Sequence, residues 1–281
     1  MRLDNHKIAG IPFHAARHRG GIITPTIVIL HDTAGRLDPG NSARYLRDND
    51  AKVSVHFVIE RDGSIEQQVE TNRRANHAGA SSFHGRSGCN DFSIGIEIVN
   101  PGQMGAVPGL PDHGRAWWGE VISGAVAAST PQHGSGLWLP YTQHQLTAVT
   151  LLLEVLFRDI PTLTDITTHW YVSPGRKVDT NPLFPLEQIR AKVLGHDDPA
   201  DIAAGAGSEP SPTATMLRIK TAGSNLNMRR WPSFNPNVIG SIPNGTRVPA
   251  IRSGLFDGRA WTLVLFDGRE GWIVDSYTQL A

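Results

Sequence analysis

The chain has 281 residues, and its 26 Lys and Arg balance its 26 Asp and Glu, leaving no formal net charge. Neutrality argues against a dedicated nucleic-acid binder, which draws most of its affinity from neutralised phosphates. Apolar residues at 40% suffice for a globular core, and the single cysteine, Cys89, excludes intrachain disulfides and multi-cysteine metal clusters. The twelve histidines are therefore the softest ligands on offer. No apolar run approaches the ~20 residues of a membrane-spanning helix. Met1 to Lys7 is not followed by the apolar core of a secretory signal, so the expectation is a protein made and kept in the cytoplasm.

In chain order, Thr26 to Leu30 is short, continuous and β-branched, which predicts a fully buried strand. Ser54 to Glu60 and Ile65 to Val69 flank a turn centred on Asp62-Gly63 and predict a hairpin. Phe92 to Val99 reads as a further strand, closed by Asn100-Pro101-Gly102. The stretch from Pro101 to Thr142 reads as a long loop holding Trp117, Trp118 and Trp138, of the size that often walls a binding site. Gln143 to Phe157 carries Leu146, Val149, Leu153 and Leu156 at helical spacing, with Thr142 as N-cap. Strands separated by helical and loop segments predict an α/β domain over 1–195. Residues 196–215 are small, polar and proline-rich and read as a flexible linker. Residues 216–281 read as a small all-β barrel of short strands punctuated by Asn244-Gly245, Asp257-Gly258 and Asp267-Gly268. This last part carries eight Lys or Arg against four Asp or Glu, a net of +4, which suits an anionic or polymeric partner as well as ordinary surface variation.

Three clusters carry chemistry. His31 ends the first buried strand and is held rigidly there, which fits a ligand, although taken alone a hydrogen-bonded core or edge histidine is the commoner reading. His169 and Asp179 lie either side of a Pro174-Gly175 turn that can fold the chain back on itself, with Lys177 between them. Two imidazole nitrogens and one carboxylate oxygen match the three protein ligands of a catalytic zinc that keeps one position open. By spacing alone the same residues also suit a polar surface loop with an ion pair. Glu97 sits between Ile96 and Ile98 in an apolar strand, where a carboxylate is costly to bury unless paired and is often tuned for function. The alternative is an edge-facing, exposed Glu.

Taken together, the segments IVILHDTAG, SVHFVIERDGSIEQQVE, NHAG, SIGIEIVNPG, LPYTQHQ and ITTHWYVSPGRKVDTNPLFP, spanning 27–185, resemble the zinc-dependent N-acetylmuramoyl-L-alanine amidases. That family also contains phage lysozyme-like amidases and peptidoglycan recognition proteins. The resemblance implies a mixed central sheet flanked by helices, with one zinc at the floor of a cleft. It assigns His31, His169 and Asp179 to the metal, proton handling to Glu97, oxyanion stabilisation to Lys177 and a place lining the substrate groove to His77. Val55 stands where some members carry a catalytic tyrosine, Thr168 replaces the usual glycine before the second ligand, and Asp179-Thr180-Asn181-Pro182 replaces the usual DPGP. His56 is a tempting fourth ligand whose strand position favours a structural role.

Residues 216–281 resemble bacterial SH3-like domains through Leu226-Asn227-Met228-Arg229, Val238 to Ile242, Asn244-Gly245-Thr246 and Gly271-Trp272-Ile273. Such domains commonly bind cell-wall peptide or glycan, and Trp231, Phe234, Trp261, Trp272 and Tyr277 offer stacking surface. The activity implied is zinc-assisted hydrolysis of the amide joining N-acetylmuramic acid to L-alanine of the stem peptide. With no signal segment and a wall-binding module, the expected setting is a phage or prophage endolysin acting on peptidoglycan. The rivals are a cytosolic amidase that recycles muropeptides, a recognition protein without catalysis, and a zinc peptidase cutting within the stem peptide.

Overall fold

The structure, a computed structural model, describes residues 1–194, 215–229, 232, 234, 238–256 and 259–281. Residues 196–214 of the expected linker, together with Trp231 and the Asp257-Gly258 turn, lie outside the described residues. The chain divides into two compact units, Met1–Pro199 and Ala200–Ala281. Among the described residues no helix is long and apolar enough to cross a membrane.

The first unit is built on a five-stranded mixed sheet. Its strands are β1 (Ile27–Asp32), β2 (Phe57–Ile59), β3 (Ile65–Gln67), β4 (Ser93–Ile98) and β10 (Asp165–Thr168). The spatial order is β10-β1-β4-β2-β3, and every pair is parallel except the β2–β3 hairpin. All six residues of β1 are buried, which is why it reads as a continuous apolar run rather than an alternating one. The β2–β3 turn is the expected one, with Gly63 at φ 85° and its N–H donating to Glu60 O at 3.0 Å.

The 40 residues after β4 depart from the expected loop. They form a second, antiparallel sheet of β5 (Gln103–Val107), β6 (Leu110–Arg115), β7 (Val121–Ser123), β8 (Val126–Thr130) and β9 (Gly134–Trp138), in the order β7-β6-β5-β9-β8. A positive-φ glycine stands at each of the three hairpins (Gly109, Gly119 and Gly134), and another, Gly124, turns the chain between the two edge strands β7 and β8. Most strand positions there face solvent, and many carry Gly, Ser, Ala or a charged or polar residue, so the hydrophobic alternation that marks a strand is faint. Met104, Ala116, Ile122, Ala125 and Leu139 close a small separate core beneath this sheet.

Three helices of the unit are α1 (Asn41–Arg47), α2 (Gln143–Asp159) and α4 (Leu186–Leu194); a single turn, α3 (His169–Val172), follows β10 directly. Helix α2 buries Val149, Leu152, Leu153 and Leu156, nearly the face expected. Its start is a complete capping box: Thr142 Oγ1 accepts from Gln145 N at 3.1 Å, and Gln145 Oε1 accepts from Thr142 N at 3.1 Å. Gln145 is fully buried and its Nε2 donates to Val99 O at 2.8 Å, tying the helix to the end of β4.

The second unit is a seven-stranded antiparallel sheet, β11 (Met216–Ile219), β12 (Leu226–Arg229), β13 (Val238–Ile242), β14 (Arg247–Phe256), β15 (Arg259–Phe266), β16 (Arg269–Val274) and β17 (Thr278–Leu280). The order is β13-β12-β16-β15-β14-β11-β17. Leu217, Ile219, Met228, Ile242, Val248, Trp261, Val264 and Ile273 are among its core residues. Trp261 and Trp272 belong to that core, whereas Phe234 and Tyr277 are exposed.

Thr142 Oγ1 also donates to Arg61 O at 2.7 Å, so Thr142→Ala removes a cap and orphans a carbonyl. The expected loss is about 1 kcal/mol, within a range of about 0.5–2. In thermal unfolding of this unit the midpoint falls by about 2–4 °C per kcal/mol lost.

Candidate active site

Strand register assembles the site. In the parallel β1–β4 pair His31 stands beside Glu97, and in the β10–β1 pair Thr168 stands beside Leu30, which brings the next residue, His169, alongside His31. The three side chains thus form a row at the carboxyl ends of adjacent parallel strands, the place where open α/β sheets bind ligands. Asp179 arrives from outside the row. Gly175 at φ 74° turns the chain after α3, Arg176 and Lys177 donate their N–H groups to Ser173 O, and Trp170 N donates to Asp179 O at 2.7 Å. The Pro-Gly turn therefore folds back as its sequence suggests.

His31 Nδ1 and His169 Nδ1 are 2.9 Å apart, and Asp179 Oδ2 lies 2.9 Å from His169 Nδ1 and 3.3 Å from His31 Nδ1. Donors about 2.0–2.1 Å from a tetrahedral zinc stand about 3.3 Å from one another. The triangle of donors, two nitrogens and one oxygen, fits one face of such a tetrahedron. Their protonation states fit as well. Burial, then the neighbouring His169, lowers the His31 pKa to about 4, so its imidazole is neutral and keeps a lone pair at neutral pH. Burial pushes the Asp179 carboxyl up, but hydrogen bonds from His169 and His31 outweigh it and hold the group below the usual carboxylate range.

Glu97 Oε2 is buried and, among the described residues, has no hydrogen-bond partner. Burial, followed by the charges of Asp179 and Asp32, raises its pKa well above the ordinary value, while Lys177 opposes the shift. The side chain as a whole keeps some exposure, as a group that must meet water requires. Lys177 is half-buried, and its charge acts on both His31 and Glu97. His77, expected in the substrate groove, stands against His31, with His77 Nδ1 2.9 Å from His31 Nε2. His56 is spent on the backbone: its Nδ1 accepts from Gly95 N at 3.0 Å and its Nε2 donates to Arg73 O at 2.8 Å. The structural role favoured by its strand position is the one it has.

A buried network with no signature in the sequence holds the loop of the third donor. Tyr141 Oη donates to Asp32 Oδ1 at 2.5 Å, and Asn181 N donates to Asp32 Oδ2 at 2.9 Å. Asn181 Nδ2 reaches Leu139 O at 3.1 Å, and His133 Nε2 donates to Thr180 O at 2.8 Å. Burial raises the Asp32 pKa to about 8, with Tyr141 pulling against it. Asp32 and Tyr141 both lie in recognisable motifs, but their 109-residue separation hides the pairing. Tyr141→Phe removes the donor to Asp32 and is expected to cost about 1–3 kcal/mol. Denaturant unfolding of the metal-free protein reads that loss directly.

Residues 23–182 match the family model described as N-acetylmuramoyl-L-alanine amidase. The 1,6-anhydro-N-acetylmuramyl-L-alanine amidase AmpD of Haemophilus influenzae is 30% identical over 57% of this chain and 68% of its own length. The N-acetylmuramoyl-L-alanine amidase AmiD of Escherichia coli is 26% identical over 69% of this chain and 64% of its own. A crystal structure of a selenomethionine AmpD derivative superposes with a TM-score of 0.49 at 26% identity, covering 69% of this chain and 99% of that one.

Proposed function

The chain belongs to the N-acetylmuramoyl-L-alanine amidase family, and we propose that His31, His169 and Asp179 hold the one zinc ion of its hydrolytic site, with Glu97 as proton carrier and Lys177 as charge partner. The observation that carries this reading is the convergence of three donors beside an unpartnered buried carboxylate, in a chain whose family is an amidase family. The bond cut is the amide between the lactyl group of N-acetylmuramic acid and L-alanine.

Zinc in such a site supplies Lewis acidity, which polarises a carbonyl and makes water acidic near neutral pH. The protein's part is positional and acid–base. Glu97 Oε2 takes the proton of the attacking water and delivers it to the departing L-alanine nitrogen. Its raised basicity, a product of burial and of Asp179 and Asp32, suits both halves of that transfer. Lys177 presents positive charge toward the oxygen that turns negative as the amide carbon becomes tetrahedral. The buried rows of β1 and β4 keep these groups from rearranging during the reaction.

The setting expected from the sequence, an endolysin, gives way here to the recycling alternative. Relatives including the Haemophilus protein carry the name 1,6-anhydro-N-acetylmuramyl-L-alanine amidase, which supports soluble anhydromuropeptides as the substrate class. A second reading, action on polymeric peptidoglycan, draws on residues 216–281, whose net charge of +4 and SH3-like motifs suit a wall-binding module. Turnover of a 1,6-anhydromuramyl peptide against release of N-terminal alanine from intact sacculi separates the two. Faster turnover of the soluble substrate supports recycling; the reverse supports wall hydrolysis. New amines on residues other than L-alanine would overturn the amidase reading itself.

Two variants test the assigned roles. Glu97→Gln keeps shape but cannot accept the proton, so the rate is expected to fall by about 10²–10⁴-fold. Its zinc content should match the parent's. His169→Ala should lose most of the metal on dialysis against a chelator, as elemental analysis reads; full retention would refute the ligand set.

A further inference from the structure

We propose, on the amidase reading above, that Trp117 is a saccharide-stacking plate. It holds a pyranose ring on the glycan side of the scissile amide and so selects sugar-bearing muramyl peptides over free peptides.

Trp117 is the most exposed large apolar side chain among the described residues, at 77%. It is nonetheless fixed. Its Nε1 donates to Ala34 O at 2.7 Å, across 83 positions of sequence. A tryptophan commonly buries its rings and keeps a polar partner for its N–H. Here the N–H is engaged on the backbone while the rings stand in solvent.

The turn that carries the ring is built to hold it out. Trp117 and Trp118 occupy the connection from β6 to β7, where Gly119 N donates to Ala116 O and Ala116 N to Glu120 O, both at 2.9 Å. Gly119, at φ 93°, closes the turn. Trp118 faces inward: it packs on the small core beneath the inserted sheet, and its Nε1 donates to Glu120 Oε2 at 2.7 Å. The two indoles meet at 88° with centroids 5.7 Å apart, so the inner ring braces the outer one.

The bond to Ala34 ties the plate to the row of donors. Ala34 lies three residues beyond His31, so their Cα atoms are at most about 11 Å apart. Thr33 N donates to Ile98 O at 3.1 Å and Gly35 N to Asn100 O at 3.3 Å, which carries the segment along the end of β4, past Glu97. Ala34 itself is left-handed at φ 44°, a conformation rare for alanine and concentrated where backbone geometry serves a ligand. The ring therefore stands beside the carboxyl ends of β1 and β4, next to the groups that act on the amide.

Chemistry selects the occupant. Muramic acid puts a pyranose ring on one side of that amide and a peptide on the other. A pyranose has a face of C–H groups, which packs on an aromatic face while the hydroxyls at its rim keep their water. The plate suits such a face, because its N–H is engaged and the charges beside it are paired. Arg36 meets Glu120 at 3.8 Å, and Arg115 Nη1 donates to Gly119 O at 3.1 Å.

The test compares the full chain with Trp117→Ala and Trp117→Phe on two substrates sharing one scissile amide. One is N-acetylmuramyl-L-alanyl-D-isoglutamine; in the other a methyl group replaces the sugar on the lactyl oxygen. Trp117→Ala should lower kcat/KM for the muramyl peptide by about tenfold. The loss should fall on KM, since contacts remote from the reacting atoms bind ground and transition states alike. Cleavage of the sugar-free analogue should match the parent's. Trp117→Phe keeps a ring and loses the bond to Ala34, so it should recover most of the loss. A second readout needs no turnover: NMR titration with N-acetylglucosaminyl-N-acetylmuramic acid alone should shift the amide signals of residues 116–119. The affinity read from those shifts should fall about tenfold in Trp117→Ala and hold in Trp117→Phe. Unmoved signals, or no loss on the muramyl peptide, would overturn the plate. An equal loss on both substrates would also overturn it, leaving Trp117 a prop for the Ala34 turn. So would self-association of the parent that Trp117→Ala abolishes in sedimentation, since a second copy would then be the occupant. Shifted signals in a parent that hydrolyses neither substrate would keep the plate and sink the amidase reading instead.

Discussion

The side-by-side placement of His31 and Glu97 in two parallel strands is the constraint on which the site depends. Parallel pairing puts paired positions on one face, so an imidazole and a carboxylate about 4.8 Å apart across the sheet need no loop to bring them together. The β10–β1 pairing adds His169 to the same row. Because the flanking residues of β1 are wholly buried, a slip of one register position would exchange these polar groups for isoleucine and leucine, which makes the arrangement hard to lose.

Burial then decides the chemistry of the row. Imidazoles far from water resist protonation, so His31 and His56 both stay neutral until the pH falls well below 7. The same environment raises the basicity of Glu97, whereas Asp179 escapes that fate through its hydrogen bonds to the two histidines. Two neighbouring carboxylates are thereby pushed in opposite directions, one toward the charged form and the other toward the protonated one, the split on which the proposed division of labour rests.

The inserted sheet also serves the site. His133, between β8 and β9, holds Thr180 O, and Leu139, just beyond β9, holds Asn181 Nδ2. Tyr141 follows at once and locks Asp32. The ligand loop is thus gripped from the insertion on one side and from the end of β1 on the other. The segment Asn76–Gly79 packs against the two histidines, with His77 Nδ1 2.9 Å from His31 Nε2 and Ala78 O 3.2 Å from His169 Nε2.

Much of this architecture is legible in the amino-acid sequence. The buried strands, the Asp62-Gly63 hairpin and the cap at Thr142 follow from local patterns, because periodicity and turn chemistry act within a few residues. The six ordered motifs point to the family, and the resemblance they carry nominates His31, His169 and Asp179, whose donor atoms the fold brings together. Other features need the folded chain. The five strands of the insertion are hidden because their solvent-facing residues lack an apolar alternation. The Asp32–Tyr141–Asn181 network and the His31–His77 contact join residues up to 149 positions apart, and nothing in their local sequence encodes the pairing. Residue types, which set what chemistry is available, are determined by the sequence alone. Which nitrogen donates, which carboxylate gains basicity and which loop is held are decided only by tertiary packing, because hydrogen-bond direction and desolvation depend on neighbours that sequence distance does not reveal.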